Sequence, residues 1–133
     1  MIPRWVTIGF IAAGLVNILG ILIFSRGFTN DTLSAVYPEV ASKFGLVCIM
    51  LWGLAYLSVA RHPERVPLLC LVFALEKTVY VVSWVMWWAD HGSTWNILWQ
   101  QDRPTALFYA IYGPNDFLFG VFFAWCFWKY RRG

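Results

Sequence analysis

An acidic and a basic residue, Glu76 and Lys77, are neighbours in the middle of a long apolar stretch. The stretch covers residues 66–88 and is long enough to cross a bilayer, which takes about 20 helical residues. Ionisable groups at membrane depth are costly, and those that occur usually face protein or water and mark ligand, ion or proton sites. Glu76 and Lys77 are therefore the first candidates for chemistry.

Three further polar residues lie inside apolar runs: Asn17 in the first run, and Asn115 and Asp116 in the last. Antiparallel helices would bring them to the depth of Lys77, so we predict one polar cluster near the membrane midplane. One acid can pair with Lys77, and the other must be protonated, bind a cation or meet the amine of a ligand. Because adjacent helical residues point about 100° apart, Glu76 and Lys77 are expected to find partners on different helices.

Aromatic residues accompany the acids at helical spacing. Tyr80 and Trp84 follow Glu76 at steps of four residues, so the three share one helix face. Apolar and aromatic walls with a few polar groups are typical of small-molecule sites, and an aromatic ring beside an acid also suits a cation. The predicted ligand-binding or proton-active residues are Glu76, Lys77, Asp116, Asn115, Asn17, Tyr80, Trp84 and Tyr112.

A purely structural use of the same charges is the main alternative. Buried ion pairs can specify how helices assemble, although interhelical polar contacts in membranes contribute only about 0.6 kcal/mol each. Three ionisable groups exceed what short spans need for packing, which favours a cavity. Pro114 cannot donate to the carbonyl of Ala110, so we also expect it, with Gly113 beside it, to break and kink the last helix.

Composition identifies a membrane protein and excludes several functions. Of the 133 residues 60% are hydrophobic and 13% charged, whereas soluble domains are about 45–50% apolar and about 25% charged. The net charge of +3 does not indicate a nucleic-acid partner. His62 and His91 flank the third run at opposite ends, and the three cysteines lack metal-ligand spacing. We predict no metal and no cofactor, and the sequence does not favour an enzyme.

Four apolar runs predict an all-α integral membrane protein: one domain over residues 1–133, built as a four-helix bundle. The predicted spans are residues 5–24, 44–60, 66–88 and 106–128. Gly9, Gly14 and Gly20 of the first span would let a neighbouring helix approach closely. The connections at residues 25–43 and 89–105 are each expected to hold a short interfacial segment.

The basic residues predict the orientation of these spans. Six lie on the side of the termini, namely Arg4, Arg61, Arg65, Lys129, Arg131 and Arg132. Three lie on the other side, namely Arg26, Lys43 and Arg103. By the positive-inside rule both termini face the cytoplasm. We expect the protein in a bacterial inner membrane.

This layout resembles two groups of small membrane proteins. Four spans, the mid-membrane acids Glu76 and Asp116, and aromatic residues around a fourth helix containing Tyr112 and Pro114 are similar to the EXPERA group of sterol-isomerase-like and sigma-2-receptor-like proteins. Small bacterial DoxX-like proteins share the general layout. The resemblance implies that such a bundle can hold a lipid-accessible ligand cavity, and it assigns no catalytic residue.

The leading hypothesis is a binding or isomerase-like module that takes a lipophilic small molecule or lipid into a polar mid-membrane cavity. Glu76 and Asp116 would be proton-active or cation-pairing groups, with Lys77 as their counter-charge. The alternative is a small structural or assembly subunit of a larger membrane complex or homo-oligomer. A proton-coupled transporter is less favoured, because four spans offer few faces to line a pore. Membrane lipids are expected partners in every case.

Overall fold

The computed structural model describes all 133 residues, and every regular element in it is helical. Four long helices dominate, and they are α1 (Arg4–Phe24), α4 (Lys43–Val59), α5 (Pro67–His91) and α7 (Arg103–Tyr130). Short helices occupy the connections, with α2 (Asp31–Val36) and α3 (Pro38–Ala41) in the first and α6 (Trp95–Gln101) in the second. Single 3-10 turns at Pro63–Arg65 and Gly92–Thr94 flank α5. The all-α prediction is confirmed.

Three segments are long and apolar enough to cross a membrane. They are α1, α5 with its continuation to Gln101, and α7. Helix α4 is apolar but has only 17 residues, which cover about 26 Å at 1.5 Å per residue against a hydrocarbon core of about 30 Å. The lengths and composition of the three long segments support the prediction of a membrane protein.

Capping side chains and prolines mark where the long helices begin. The Ser42 side chain accepts a hydrogen bond from the Gly45 N–H at the start of α4, and Pro67 is in the first turn of α5, where its missing N–H costs nothing. Asp102 accepts from the Thr105 N–H at 3.2 Å. This cap starts α7 at Arg103, three residues before the predicted boundary.

Helices α1 and α4 cross in direct backbone contact at two glycines. A Cβ added to Gly14 would lie 2.8 Å from the Gly53 carbonyl oxygen, and one added to Gly53 would lie 2.8 Å from the Gly14 oxygen. A Cβ on Gly9 would meet the Phe122 ring of α7 at 2.5 Å. Gly20 has no neighbour within 4 Å. The predicted close approach is therefore confirmed at Gly9 and Gly14 and wrong at Gly20, which faces a gap.

Helix α7 continues through Pro114 without interruption, so the expected break in the last run is wrong. A proline removes one intrahelical hydrogen bond, and neighbouring helices can hold the remaining turns in place. Here the indole of Trp84 on α5 packs against Gly113 and donates to the Tyr109 carbonyl oxygen at 2.6 Å. Helix α5 therefore supports α7 along the turn that contains the proline.

The two interfacial segments predicted from the sequence are helical. Helix α2 lies within the first connection and α6 within the second, where α6 buries Leu98 while Trp95 and Trp99 stack with their ring centroids 5.7 Å apart. Three polar residues of α6 are exposed, namely Asn96, Gln100 and Gln101. Helix α6 therefore has the two-faced character of a segment that lies along a membrane surface.

A polar cluster joins the two connections at the end of the bundle away from the termini. Arg26 Nη2 lies 2.5 Å from Asp102 Oδ1. The Asn30 amide donates to Asp102 Oδ2 at 2.9 Å and to Thr105 Oγ1 at 3.1 Å, and the Thr105 hydroxyl donates to the same carboxylate. The cluster attaches the chain following α1 to the first turn of α7.

Candidate ligand-binding site

The polar groups predicted at the midplane come together around Lys77. Its ammonium donates to Asp116 Oδ1 on α7 at 2.8 Å and to Asn17 Oδ1 on α1 at 3.2 Å. The Asn115 amide donates to the same Asp116 oxygen at 3.2 Å. The Asn17 amide in turn donates to the Ile49 carbonyl of α4 at 2.9 Å. One ammonium thus connects α5 to two other helices, as the sequence predicts.

Glu76 takes a different partner. Its Oε1 accepts a hydrogen bond from the Tyr56 hydroxyl of α4, whereas Oε2 is buried and has no hydrogen-bond partner. The residue as a whole is 8% exposed. The prediction that Glu76 and Lys77 have partners on different helices is therefore confirmed, with Tyr56 for the acid and Asp116 and Asn17 for the base.

Tyr56 contacts the candidate site through Glu76 but is absent from the predicted set. It is fully buried, and its ring packs against Phe73 and Phe123 at centroid distances of 4.8 Å. The Lys77 ammonium lies 5.2 Å from its ring centroid, within the range of a cation–π contact. A buried tyrosine usually has a hydrogen-bond partner, so the position of Tyr56 inside an apolar run could have indicated from the sequence that it contacts a polar group.

A cavity of about 90 Å³ adjoins these groups, with walls from all four long helices. Seven of the eight predicted residues line it, and they are Asn17, Glu76, Lys77, Tyr80, Tyr112, Asn115 and Asp116. The apolar part of the wall consists of Val16, Gly20, Ile21, Phe24, Ile49, Phe108 and Ile111. Ligand pockets for drug-sized molecules measure about 300–1,000 Å³, so this cavity can enclose the polar part of such a molecule and not the whole of it.

Trp84 is the predicted residue that does not line the cavity. Its indole is used in packing against Gly113 and in the hydrogen bond to the Tyr109 carbonyl. Its neighbour on the same face, Ser83, instead reaches the Tyr112 hydroxyl at 3.1 Å. The aromatic wall therefore consists of Tyr80, Tyr112 and Phe108.

The exposed residues among those that line the cavity are on α1 and α7, so we infer that it opens between these two helices. Val16 on α1 is 43% exposed and Ile111 on α7 is 45% exposed, and Gly20 leaves open space between them. Above and below this opening the two helices are in contact, through Trp5 and Trp125 at 4.9 Å on one side and Phe24 and Phe108 at 6.0 Å on the other. The opening is bordered by apolar surface, while the polar groups lie at its inner end.

The site contains two carboxyl groups, those of Glu76 and Asp116, and one ammonium group, that of Lys77. Lys77 is engaged by Asp116 and Asn17, so Glu76 is left with one neutral donor and one free oxygen. Such a carboxyl group can accept a hydrogen bond from a molecule in the cavity or exchange a proton with it. No three His, Cys, Asp or Glu side chains are grouped so that they could hold a metal ion.

Comparisons of the chain with protein-family models, curated proteins and solved structures give no match. The resemblance in layout to the EXPERA and DoxX-like groups gains no support from them.

Proposed function

We propose that the protein binds a lipophilic small molecule or lipid, whose polar end enters the cavity beside Glu76. The Glu76 carboxyl group carries this proposal, because Glu76 lines the cavity and its buried Oε2 has no hydrogen-bond partner in the protein. The large majority of buried polar side-chain atoms in folded proteins are hydrogen-bonded, and an exception calls for an explanation such as a missing partner. A bound ligand would supply the missing donor.

The shape and charge of the cavity restrict the ligand. Its polar group must donate a hydrogen bond or carry positive charge, because Glu76 offers an acceptor and Lys77 is already engaged. The volume of about 90 Å³ accommodates a small polar group only. The apolar remainder of the ligand would lie in the opening beside Val16, Gly20 and Ile111. Tyr80 and Tyr112 would contact the ligand near its polar end.

We further propose four spans, with α4 as the shortest, and cytoplasmic termini in a bacterial inner membrane. Helix α4 supports this arrangement because it is apolar along its length and lies against α1 through Gly14 and Gly53. Its ends are polar, with Lys43 at the first turn and Arg61 just after the last. The excess of basic residues at the termini and in the 60–66 turn supports the orientation.

Native mass spectrometry of the gently extracted protein tests the binding function. The wild type is compared with Glu76→Gln and with Glu39→Gln, a control that makes the same change at an exposed residue. We expect a bound molecule on the wild type and on Glu39→Gln, and its loss from Glu76→Gln while the helix content measured by circular dichroism is unchanged.

Two results would contradict the proposal. A bound molecule retained by Glu76→Gln would show that this carboxyl group is not the binding group. A ligand-free protein that arrives with a stoichiometric protein partner would favour the assembly-subunit alternative, in which the Lys77–Asp116 pair serves only to join α5 and α7.

A further inference from the structure

A second cavity lies at the turn between α4 and α5, at the end of the bundle that carries both termini. Its volume is about 450 Å³, within the range of about 300–1,000 Å³ typical of small-molecule sites. The residues that line it come from the end of α4 and from the turn, and they are Leu57, Ser58, Val59, Arg61, His62, Arg65 and Val66. None of them lines the cavity beside Glu76.

The charge of this second cavity is positive. Arg61 and Arg65 line it and form no ion pair with any carboxylate of the chain. The nearest acid in sequence, Glu64, does not line the cavity: its Oε1 lies 3.3 Å from His62 Nδ1, and its Oε2 is buried. Two guanidinium groups, each a planar fork of N–H donors, are therefore free to bind the oxygens of a phosphate group.

The remaining wall of this second cavity is apolar. Leu57, Val59 and Val66 are half-buried and lie beside the two arginines. A free phosphate ion would contact only the basic part of such a wall. A phospholipid would use both parts, because its phosphate carries negative charge and its glycerol and acyl chains are apolar next to it. The combination favours an amphiphile with an anionic head.

We propose that the turn between α4 and α5 binds the phosphate of an anionic phospholipid. The turn joins the ends of two membrane-crossing helices, which places it at headgroup level in the proposed topology. The cytoplasmic leaflet is rich in anionic lipids, and basic pockets between helices on that side recognise their headgroups. This inference depends on the proposed orientation and is independent of ligand binding at Glu76.

Lipid titration followed by native mass spectrometry tests the site. The probes are phosphatidylglycerol and phosphatidylcholine, added to the protein in detergent micelles. The test variant is Arg61→Gln/Arg65→Gln, and its matched control is Arg131→Gln/Arg132→Gln, which removes the same charge from the exposed C-terminus at the same end of the bundle. A third variant, Arg61→Lys/Arg65→Lys, keeps the positive charge and removes the planar guanidinium groups.

We expect the wild type to retain phosphatidylglycerol in preference to phosphatidylcholine. The Arg61→Gln/Arg65→Gln variant is expected to bind phosphatidylglycerol about 25-fold more weakly, roughly fivefold for each arginine near the membrane surface. The C-terminal control should keep most of the preference, and the lysine variant should fall between them. Both arginines are exposed, so the helix content of each variant should match the wild type.

Three outcomes would overturn the proposal. An equal loss in the turn variant and the C-terminal control would mean that the attraction is diffuse and has no site. The absence of a preference in the wild type would mean that no anionic lipid is recognised. Displacement of the lipid by a millimolar excess of inorganic phosphate would identify free phosphate as the occupant.

Discussion

The Lys77 ammonium lies 2.8 Å from the Asp116 carboxylate, and the two residues are only 1% and 7% exposed. Removing one partner of a buried ion pair costs about 3–5 kcal/mol, because the other charge is left uncompensated, whereas replacing both partners is often close to neutral. The second bond from Lys77, to Asn17, makes the same ammonium a link between α5 and α1. The pair and the bond to Asn17 therefore link three helices.

Lys77→Met is expected to lower the free energy of unfolding by about 3–5 kcal/mol. The double variant Lys77→Met/Asp116→Asn should recover much of this loss, because no unpaired charge remains. Reversible unfolding in mixed detergent micelles measures both. Lys129→Met, at an exposed residue, is the control and should change stability by less than about 0.5 kcal/mol. Equal losses in the single and double variants would contradict an ion pair.

Tyr56→Phe should lower the free energy of unfolding by about 1–3 kcal/mol, because it removes the hydroxyl that donates to Glu76 and leaves the carboxyl group without a protein partner. Tyr130→Phe is a matched control, since the Tyr130 hydroxyl is buried without a partner and its removal breaks no hydrogen bond. Thermal unfolding of both variants gives the comparison. A similar effect in the two would argue against the bond between Tyr56 and Glu76.

Gly53→Ala should destabilise the contact between α1 and α4. The new methyl group would lie 2.8 Å from the Gly14 carbonyl oxygen and 2.9 Å from Asn17 Cβ, and overpacking of this kind costs about 1–3 kcal/mol. Gly20→Ala, with nothing within 4 Å, should be neutral or stabilise the helix by up to about 1 kcal/mol. Chemical unfolding should therefore show a loss of stability for Gly53→Ala and none for Gly20→Ala, and equal losses would refute the glycine crossing.

Asp102 should contribute a pH dependence to stability. Burial alone would raise the pKa of its carboxyl group, but hydrogen bonds from Thr105, Asn30 and Arg26 outweigh this effect and lower the pKa. Because the folded pKa is below the unfolded value of about 3.9, the carboxylate stabilises the fold above about pH 4, and this contribution is lost as the pH falls through the folded pKa.

The corresponding experiment compares the melting temperatures of the wild type and Asp102→Asn. The wild type should melt higher near about pH 7, and the difference should shrink as the pH falls below about 4 toward the lowered pKa of the folded carboxyl group. Asp90→Asn is the control, at an exposed acid in the last turn of α5. A difference that stays constant with pH would contradict the role of the charge.

The helices and the polar cluster were predictable from local features of the sequence. Apolar runs determined the four long helices, because their length and lack of charge depend on no distant contact. Asn17, Lys77 and Asp116 were predicted to meet, because a polar side chain in an apolar run must find a polar partner at its own depth. The positions of Glu76 and Lys77 one residue apart were enough to predict different partner helices.

The individual partners of the site residues could not be predicted, because they depend on how the helices pack and the local sequence does not contain this information. Tyr56 reaches Glu76 because the crossing of Gly14 and Gly53 fixes where α4 lies. Gly20 could not be distinguished from the other glycines of α1 by spacing, although it faces a cavity and not a helix. Trp84 shares a face with Glu76 but is held by the Tyr109 carbonyl, and a bond to the backbone of another helix leaves no trace in the sequence.

The opening between α1 and α7 is narrow, and the two helices are in contact at both of its ends. Trp5 and Trp125 hold one end, and the cluster of Arg26 with Asp102 secures the other beyond Phe24 and Phe108. Moving α1 away from α7 to admit a molecule would break the contacts at both ends. A molecule that reaches Glu76 by this way must pass sideways between Val16 and Ile111, and the width left by Gly20 limits the thickness of what can enter.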